Sequence, residues 1–232
     1  MLKIFVLFSR RFDAYCTCSF SGVSWAHSRE PDDIEIVTCW DSEYNHCSDV
    51  EKAPTQLYFD AKGDEVKWGY GIPPDKEPLK WFKLLLLDVV DLPTEIVVST
   101  QLQEARRLQR ESGKEPIEII SLFLRKLWGH SIESITRAIG ADLLKRSKLH
   151  VVITLPAIWP PYAQQRMKEA AQNSGILDLR PAGATTLRFI SEPEAAALAT
   201  IKDMGKRSII EVSRYSVMIS CIDLKLTNRI AR

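Results

Sequence analysis

Residues 149–197 constrain this chain more than any other stretch. They open on His150-Val151-Val152-Ile153-Thr154-Leu155, an apolar run stopped by Pro156. A short run dominated by valine and isoleucine suits a strand buried on both faces. Pro160-Pro161 then opens a helix-like segment over residues 162–174, closed by Gly175. Proline suits the first turn of a helix and glycine its exit. A second short strand follows, Leu187-Arg188-Phe189-Ile190-Ser191, and runs into Glu192-Pro193-Glu194-Ala195-Ala196-Ala197. That piece is a helix start, with proline in the first turn and strong helix formers behind it. Strand, helix, strand, helix predicts a parallel βαβ unit with a right-handed crossover.

The chain ahead of this unit reads differently. Residues 1–8 read as a strand, residues 22–26 as the second strand of a hairpin, and the alternating Ile34-Glu35-Ile36-Val37 as the next. Gln56-Leu57-Tyr58-Phe59 and Glu65-Val66-Lys67-Trp68-Gly69 flank a glycine-containing turn and predict a further hairpin. The first third is therefore an antiparallel meander, broken by Pro73-Pro74-Asp75. Residues 79–87 read as an apolar helix carrying Lys80 and Lys83, and residues 92–100 as a linker. Residues 101–112 read as a charged helix ending at Gly113. Pro116 starts a long helix with Ile120, Leu124, Leu127, Ile135 and Ile139 at helical spacing and Gly140 near its end. His130 lies on that helix with no partner at ligand spacing and reads as an ordinary helix histidine.

Composition narrows the functional classes. The chain has 232 residues, 45% of them hydrophobic, enough for a sizeable core. Lys and Arg number 31 against 30 Asp and Glu, so nothing points to nucleic acid. No apolar run approaches the length of a bilayer span. The five cysteines are odd in number and irregularly spaced; they read as free thiols of an intracellular, cytoplasmic chain. Cys16, Cys18, His46 and Cys47 lack the paired spacing of a zinc site, and no metal ligands are assigned.

The wording Val151-Val152-Ile153-Thr154-Leu155-Pro156-Ala157, followed by Ile190-Ser191-Glu192-Pro193-Glu194-Ala195-Ala196-Ala197, resembles the nucleotide-binding domain of the seventy-kilodalton heat-shock chaperones. Trp68-Gly69-Tyr70-Gly71 and Trp81-Phe82-Lys83-Leu84 resemble divergent members of that family in filamentous fungi. The resemblance implies an α/β fold: the first lobe of an actin-like (ribonuclease H-like) ATPase, with a mixed sheet built from the meander and the βαβα unit. It divides the chain into a divergent N-terminus at 1–20, the lobe at 21–207 and a divergent tail at 208–232, truncated and altered at both ends, with the second lobe absent.

The resemblance also assigns residues. Lys83 matches the lysine that reaches the γ-phosphate and the attacking water; read without the resemblance, it is a surface lysine on a buried helix. Glu192 matches the carboxylate that positions the hydrated metal. A carboxylate at the mouth of a parallel sheet, near a helix N-terminus, is suited to that task, although Ser191-Glu192-Pro193 would also serve as a plain helix cap. Ser19, Ser21 and Gly22 fall at the first phosphate loop. Family aspartate, glycine and threonine positions there read Tyr15, Thr17, Cys18 and Ser19. Pro156 and Arg166 match an interlobe relay, with longer spacing here than in the chaperones. The second phosphate loop corresponds to Cys221-Ile222-Asp223-Leu224-Lys225-Leu226-Thr227, which has no glycine.

The implied cofactor is ATP with Mg²⁺. The implied partners are unfolded polypeptides or co-chaperones, with no nucleic acid and no membrane. With one phosphate loop altered and the other missing, the chain is expected to be inactive alone, its family activity being ATP hydrolysis coupled to protein folding. Two alternatives remain open: a non-catalytic pseudo-ATPase acting as a protein-interaction module, and a small-molecule kinase of the same superfold.

Overall fold

A computed structural model describes residues 1–9, 20–43, 47–60 and 65–204. The fold is α/β around one mixed sheet. Its main path has strand order β3-β2-β1-β7-β8, where β1 is Leu2–Ser9, β2 Phe20–His27, β3 Glu30–Ile36, β7 Leu149–Leu155 and β8 Thr186–Ser191. The short β4 (Ala53–Pro54) also pairs with β2, and β5 (Leu57–Phe59) with β6 (Val66–Trp68) makes a separate hairpin. β1 is antiparallel to β2 and parallel to β7, and β7 is parallel to β8. The meander and the crossover unit therefore share one sheet, joined at β1.

Among the described residues six α-helices accompany the sheet: α1 (Thr94–Val97), α2 (Thr100–Ser112), α3 (Pro116–Ile139), α4 (Ala141–Arg146), α5 (Pro161–Asn173) and α6 (Glu192–Met204). Their ends follow the local sequence. Ser99 caps α2 by accepting from the Leu102 amide, and Gly113 closes it at φ 63°. α3 starts at Pro116 with a reciprocal cap, in which the Glu115 amide donates to the Glu118 carboxylate at 2.9 Å.

One face of the sheet carries the core. Leu2, Ile4, Val6, Val151 and Ile153 are fully or almost fully buried, and Leu124, Leu127 and Trp128 of α3 face Val6 and Val23 across a narrow apolar gap. α5 is tied to α3 where Arg125 donates to the Asn173 carbonyl at 2.6 Å. Under the hairpin, Phe123 packs against Phe82 (ring centroids 5.4 Å) and Trp68 (6.0 Å). His130 is buried beside this cluster. It stacks on Trp40 at 4.7 Å, and its Nε2 donates to the Thr38 carbonyl at 3.0 Å, a structural role.

The opposite face carries two cross-strand rows. Strand register aligns Ile34, Ala26, Lys3, His150 and Thr186 in one, and Ile36, Ser24, Phe5, Val152 and Arg188 in the other. β3 and β8 are the two rims of this path. β3 is exposed along its length, so its alternating pattern does not reflect burial of one face.

Two expectations need correction. Residues 79–87 do not form an α-helix. Leu79 exchanges both backbone hydrogen bonds with Leu57 (2.7 and 3.0 Å), and Trp81 takes a left-handed conformation at φ 61°. Only Phe82–Leu86 then winds, as a 3-10 turn. The linker over 92–100 contains the single-turn α1, and α4 follows α3 directly at Gly140.

Phe123→Ala should cost about 3–5 kcal/mol of unfolding free energy, read by urea denaturation, because the ring is fully buried between two aromatic neighbours. A second outcome concerns pH. Burial, then Arg188 and Lys3, push the His150 imidazole below its ordinary pKa. The unfolded chain thus takes up a proton at higher pH than the folded one, so stability is full above the ordinary value of 6.5 and falls as pH drops through it. The loss should be smaller in His150→Gln, measured as midpoint against pH.

Candidate functional site

Every side chain of interest here sits where the parallel strands end. Leu155, the last residue of β7, pairs with Ser191, the last of β8. Pro156 and Glu192 follow these two residues, so the chain leaves both strands at one edge of the sheet. β1 runs parallel to β7, so its end at Ser9, paired with Phe20, lies at that edge too.

Glu192 and Lys83 meet there. The Lys83 Nζ donates to Glu192 Oε1 at 2.9 Å across 109 residues of sequence. The lysine side chain is 2% exposed and the glutamate 18%. A buried ammonium is tolerable only with a counter-charge in reach. The backbone explains how the lysine gets inside. The left-handed Trp81 turns the chain, and the 3-10 turn behind it aims Phe82, Lys83 and Leu84 into the core. A tryptophan in that region is a costly conformation, held by packing around a ring 9% exposed.

Trp159 completes this environment. Its amide donates to the Pro156 carbonyl at 3.2 Å, closing a tight turn at the mouth of β7. The turn lays the buried indole 5.4 Å from the Lys83 ammonium, in cation–π range. Pro156 is itself buried. The capping function at α6 falls on Ser191, whose hydroxyl accepts from the Glu194 amide at 3.2 Å. Cap and carboxylate are thus adjacent residues with separate tasks.

Arg166, on α5, grips the segment just beyond Lys83. Its Nη1 donates to the Leu86 carbonyl at 2.7 Å and to Asp88 Oδ1 at 2.9 Å. Its guanidinium lies 4.6 Å over the Tyr162 ring. The Tyr162 hydroxyl in turn accepts from the Asp88 amide at 2.9 Å and donates to the Asp91 carboxylate. α5 therefore holds both ends of the 3-10 turn's exit.

Ser21 and Gly22 lie on β2, paired with Phe8 and Leu7 near the end of β1. The fully buried Ser21 shares a hydrogen bond of 2.7 Å with the Thr55 hydroxyl. At Gly22 an added Cβ would come within 3.2 Å of the Glu51 carbonyl, so glycine lets β2 lie close to that segment. Ser19 and the altered loop around it lie outside the described residues, as do Cys16, Cys18, His46, the turn at 61–64 and the tail with its second loop.

With this geometry in place, comparison with known proteins gives three useful matches. The chain is 27% identical over 211 residues to heat shock 70 kDa protein 12A of Mus musculus, which covers 85% of this chain and 29% of that protein. It is 24% identical over 188 residues to heat shock 70 kDa protein 12B of Homo sapiens, covering 77% and 26%. A shorter match, 34% over 103 residues, is to a chaperone protein HscA homolog of Mannheimia succiniciproducens, covering 44% and 14%. No family model matches. Most of the chain is related to heat-shock seventy-kilodalton proteins. It spans less than a third of the length of these relatives.

Sequence reasoning missed Trp159 and the left-handed turn at Trp81. The signal for Trp159 was a tryptophan directly before a proline pair, three residues after the Pro156 that ends a strand. Nothing local signals positive φ at a tryptophan.

Breaking the pair from one side should differ sharply from removing it. Glu192→Ala leaves a buried ammonium and should cost about 3 kcal/mol, whereas the double change Lys83→Met, Glu192→Leu should cost less than either single change. Urea midpoints across the double-mutant cycle measure the coupling.

Proposed function

We propose that this chain is one lobe of a heat-shock-chaperone-like ATP-binding domain. In this reading residues 21–207 are the first lobe of an actin-like fold, and ATP with Mg²⁺ binds at the carboxyl edge of the sheet. The observation that carries it is the convergence of Lys83 and Glu192 at that edge. An ammonium that can meet phosphate oxygens and a carboxylate that can hold a hydrated metal stand side by side, on separate elements, with buried surroundings that strengthen both charges.

The residues present fit one wall of such a site. Lys83 would face the terminal phosphate and Glu192 the metal's water shell. Ser21 and Gly22, which the resemblance assigns to the first phosphate loop, lie on β2, where the Ser21 hydroxyl shares a hydrogen bond with Thr55 and Gly22 packs close to Glu51. The bound nucleotide and metal would supply the phosphoanhydride and the charge that polarises it. What this chain contributes is position: α5 clamps Leu86 and Asp88 through Arg166, and Trp159 fixes the ammonium. The Pro156 carbonyl accepts from the Trp159 amide, so a shift of the ammonium that moves Trp159 would be felt at the mouth of β7. This supports a relay through Pro156 and Arg166. Polypeptide clients and co-chaperones follow from the relatives and belong to the same proposal.

A second reading, a non-catalytic interaction module, is favoured by the half-exposed Ile34 (48%) and Ile36 (45%) on the open sheet face. It separates from the first by nucleotide dependence.

Purified residues 1–232 should show no saturable ATP hydrolysis, since closure around the metal needs donors from both walls. Turnover that disappears on Glu192→Ala would overturn this. Native protein captured with antibodies to residues 149–197 should bind ATP. A 26.4 kDa species blind to ATP would favour the interaction module.

A further inference from the structure

Cys39 and Cys47 both lie on the segment that leaves β3; the first is exposed and the second buried. Each thiol bonds to the residue that follows the other. Cys39 Sγ donates to the Ser48 carbonyl at 3.3 Å, and Cys47 Sγ donates to the Trp40 carbonyl at 2.8 Å. The Cys39 amide donates to that same Ser48 carbonyl at 3.0 Å. We propose that Cys39 and Cys47 are a redox pair, which glutathione disulfide converts to an intramolecular disulfide bond.

The surrounding fold holds the two thiols to this crossing. The Val37 amide donates to the Val23 carbonyl of β2 at 2.9 Å, and the Thr38 carbonyl meets His130 Nε2 of α3 at 3.0 Å. Trp40 stacks on the His130 ring, and its Nε1 donates to the Val50 carbonyl at 2.7 Å. Residues 39–40 and 47–48 therefore cannot separate without breaking contacts to both β2 and α3. A disulfide needs its two Cα atoms within about 7 Å, and the reciprocal hydrogen bonds hold these backbones at contact range. Cys39 itself sits at φ 57°, a costly conformation for a residue with a Cβ. The strain falls on the exposed member of the pair.

The two sulfurs also sense one another. Burial, then Asp41, then Cys39 push the Cys47 thiol above its ordinary pKa. A charge at Cys39 can do this only from nearby. The same effect orders the chemistry. Cys47 stays protonated, so the first attack falls to Cys39. The Cys39 thiolate attacks one sulfur of glutathione disulfide; the S–S bond breaks, and one glutathione leaves and takes up the proton that Cys39 lost. With Cys39 capped, its charge no longer opposes ionisation of Cys47. Cys47 then loses its proton and attacks the Cys39 sulfur, and the second glutathione leaves as a thiol. The protein gives up two electrons and two protons, and one glutathione disulfide becomes two glutathiones. An exposed attacking cysteine beside a resolving one is the arrangement of a redox sensor.

None of these contacts involves Lys83 or Glu192, so the inference does not rest on nucleotide binding.

The test treats the full chain with glutathione disulfide, blocks remaining thiols with iodoacetamide and maps the peptides by mass. The wild-type chain should yield a peptide linked through Cys39 and Cys47, lighter by two hydrogens and restored by dithiothreitol. Cys47→Ser should stop at a glutathione adduct on Cys39. Modification of Cys47 should be at least about tenfold slower in Cys39→Ser, because the buried thiol must then meet glutathione disulfide directly. A wild-type chain that stops at the Cys39 adduct, or that keeps Cys47 open to iodoacetamide after denaturation, overturns the proposal without any variant having to fold.

Discussion

The architecture depends on neutralising one ammonium. Lys83 is almost completely buried, and a lone charge there would not be tolerated. Its carboxylate partner arrives at the start of α6, 109 residues later. For the two to meet, β7 and β8 must lie parallel and in register, so that the chain leaves β8 at the same edge as β7. The 3-10 turn must also be pinned from α5, which Arg166 and Tyr162 do through Leu86, Asp88 and Asp91. Sheet register, crossover and helix packing therefore all converge on one contact of 2.9 Å.

That arrangement gives the site a layered character. The ion pair is innermost, the Trp159 indole lies beside it, and the turn closed on Pro156 carries that indole. Outside these, the Arg166–Asp88 pair is half exposed, and such a contact is energetically modest in water. Strength thus declines outward from Lys83. The outer contacts are the ones able to rearrange at small cost, and the inner pair is the one least able to.

The crossover unit was legible because its signals are local and agree with one another: an apolar run, a proline at the helix start, a glycine at the exit, then a second run into a proline-led helix. The long α3 was legible for the same reason, since its period and its Pro116 and Gly140 boundaries coincide. Residues 79–87 misled because a short apolar stretch interrupted only by Lys80 and Lys83 has no decisive period to read, and the deciding events were non-local or unsignalled: Leu79 bridging Leu57, and Trp81 adopting positive φ. The strand-to-helix junction at Glu192 could be read, but its choice between cap and ion pair depended on where Lys83 lay. The hydroxyl of Ser21 looked available in sequence, and only tertiary pairing commits it to Thr55.

The two rims of the sheet are unequal in how they meet other chains during synthesis and refolding. β3 carries Glu30, Asp32, Asp33 and Glu35 and contains Pro31, a composition that repels a second strand and denies it a backbone donor. β8 is written Thr-Leu-Arg-Phe-Ile-Ser, with a single charge and no proline. Among the described strands β8 is the rim more open to misassembly in concentrated solution, and the exposed Glu194 that follows it acts as its gatekeeper. Glu192 spends its charge on the buried Lys83, so one exposed carboxylate guards this rim where the opposite rim carries four acids.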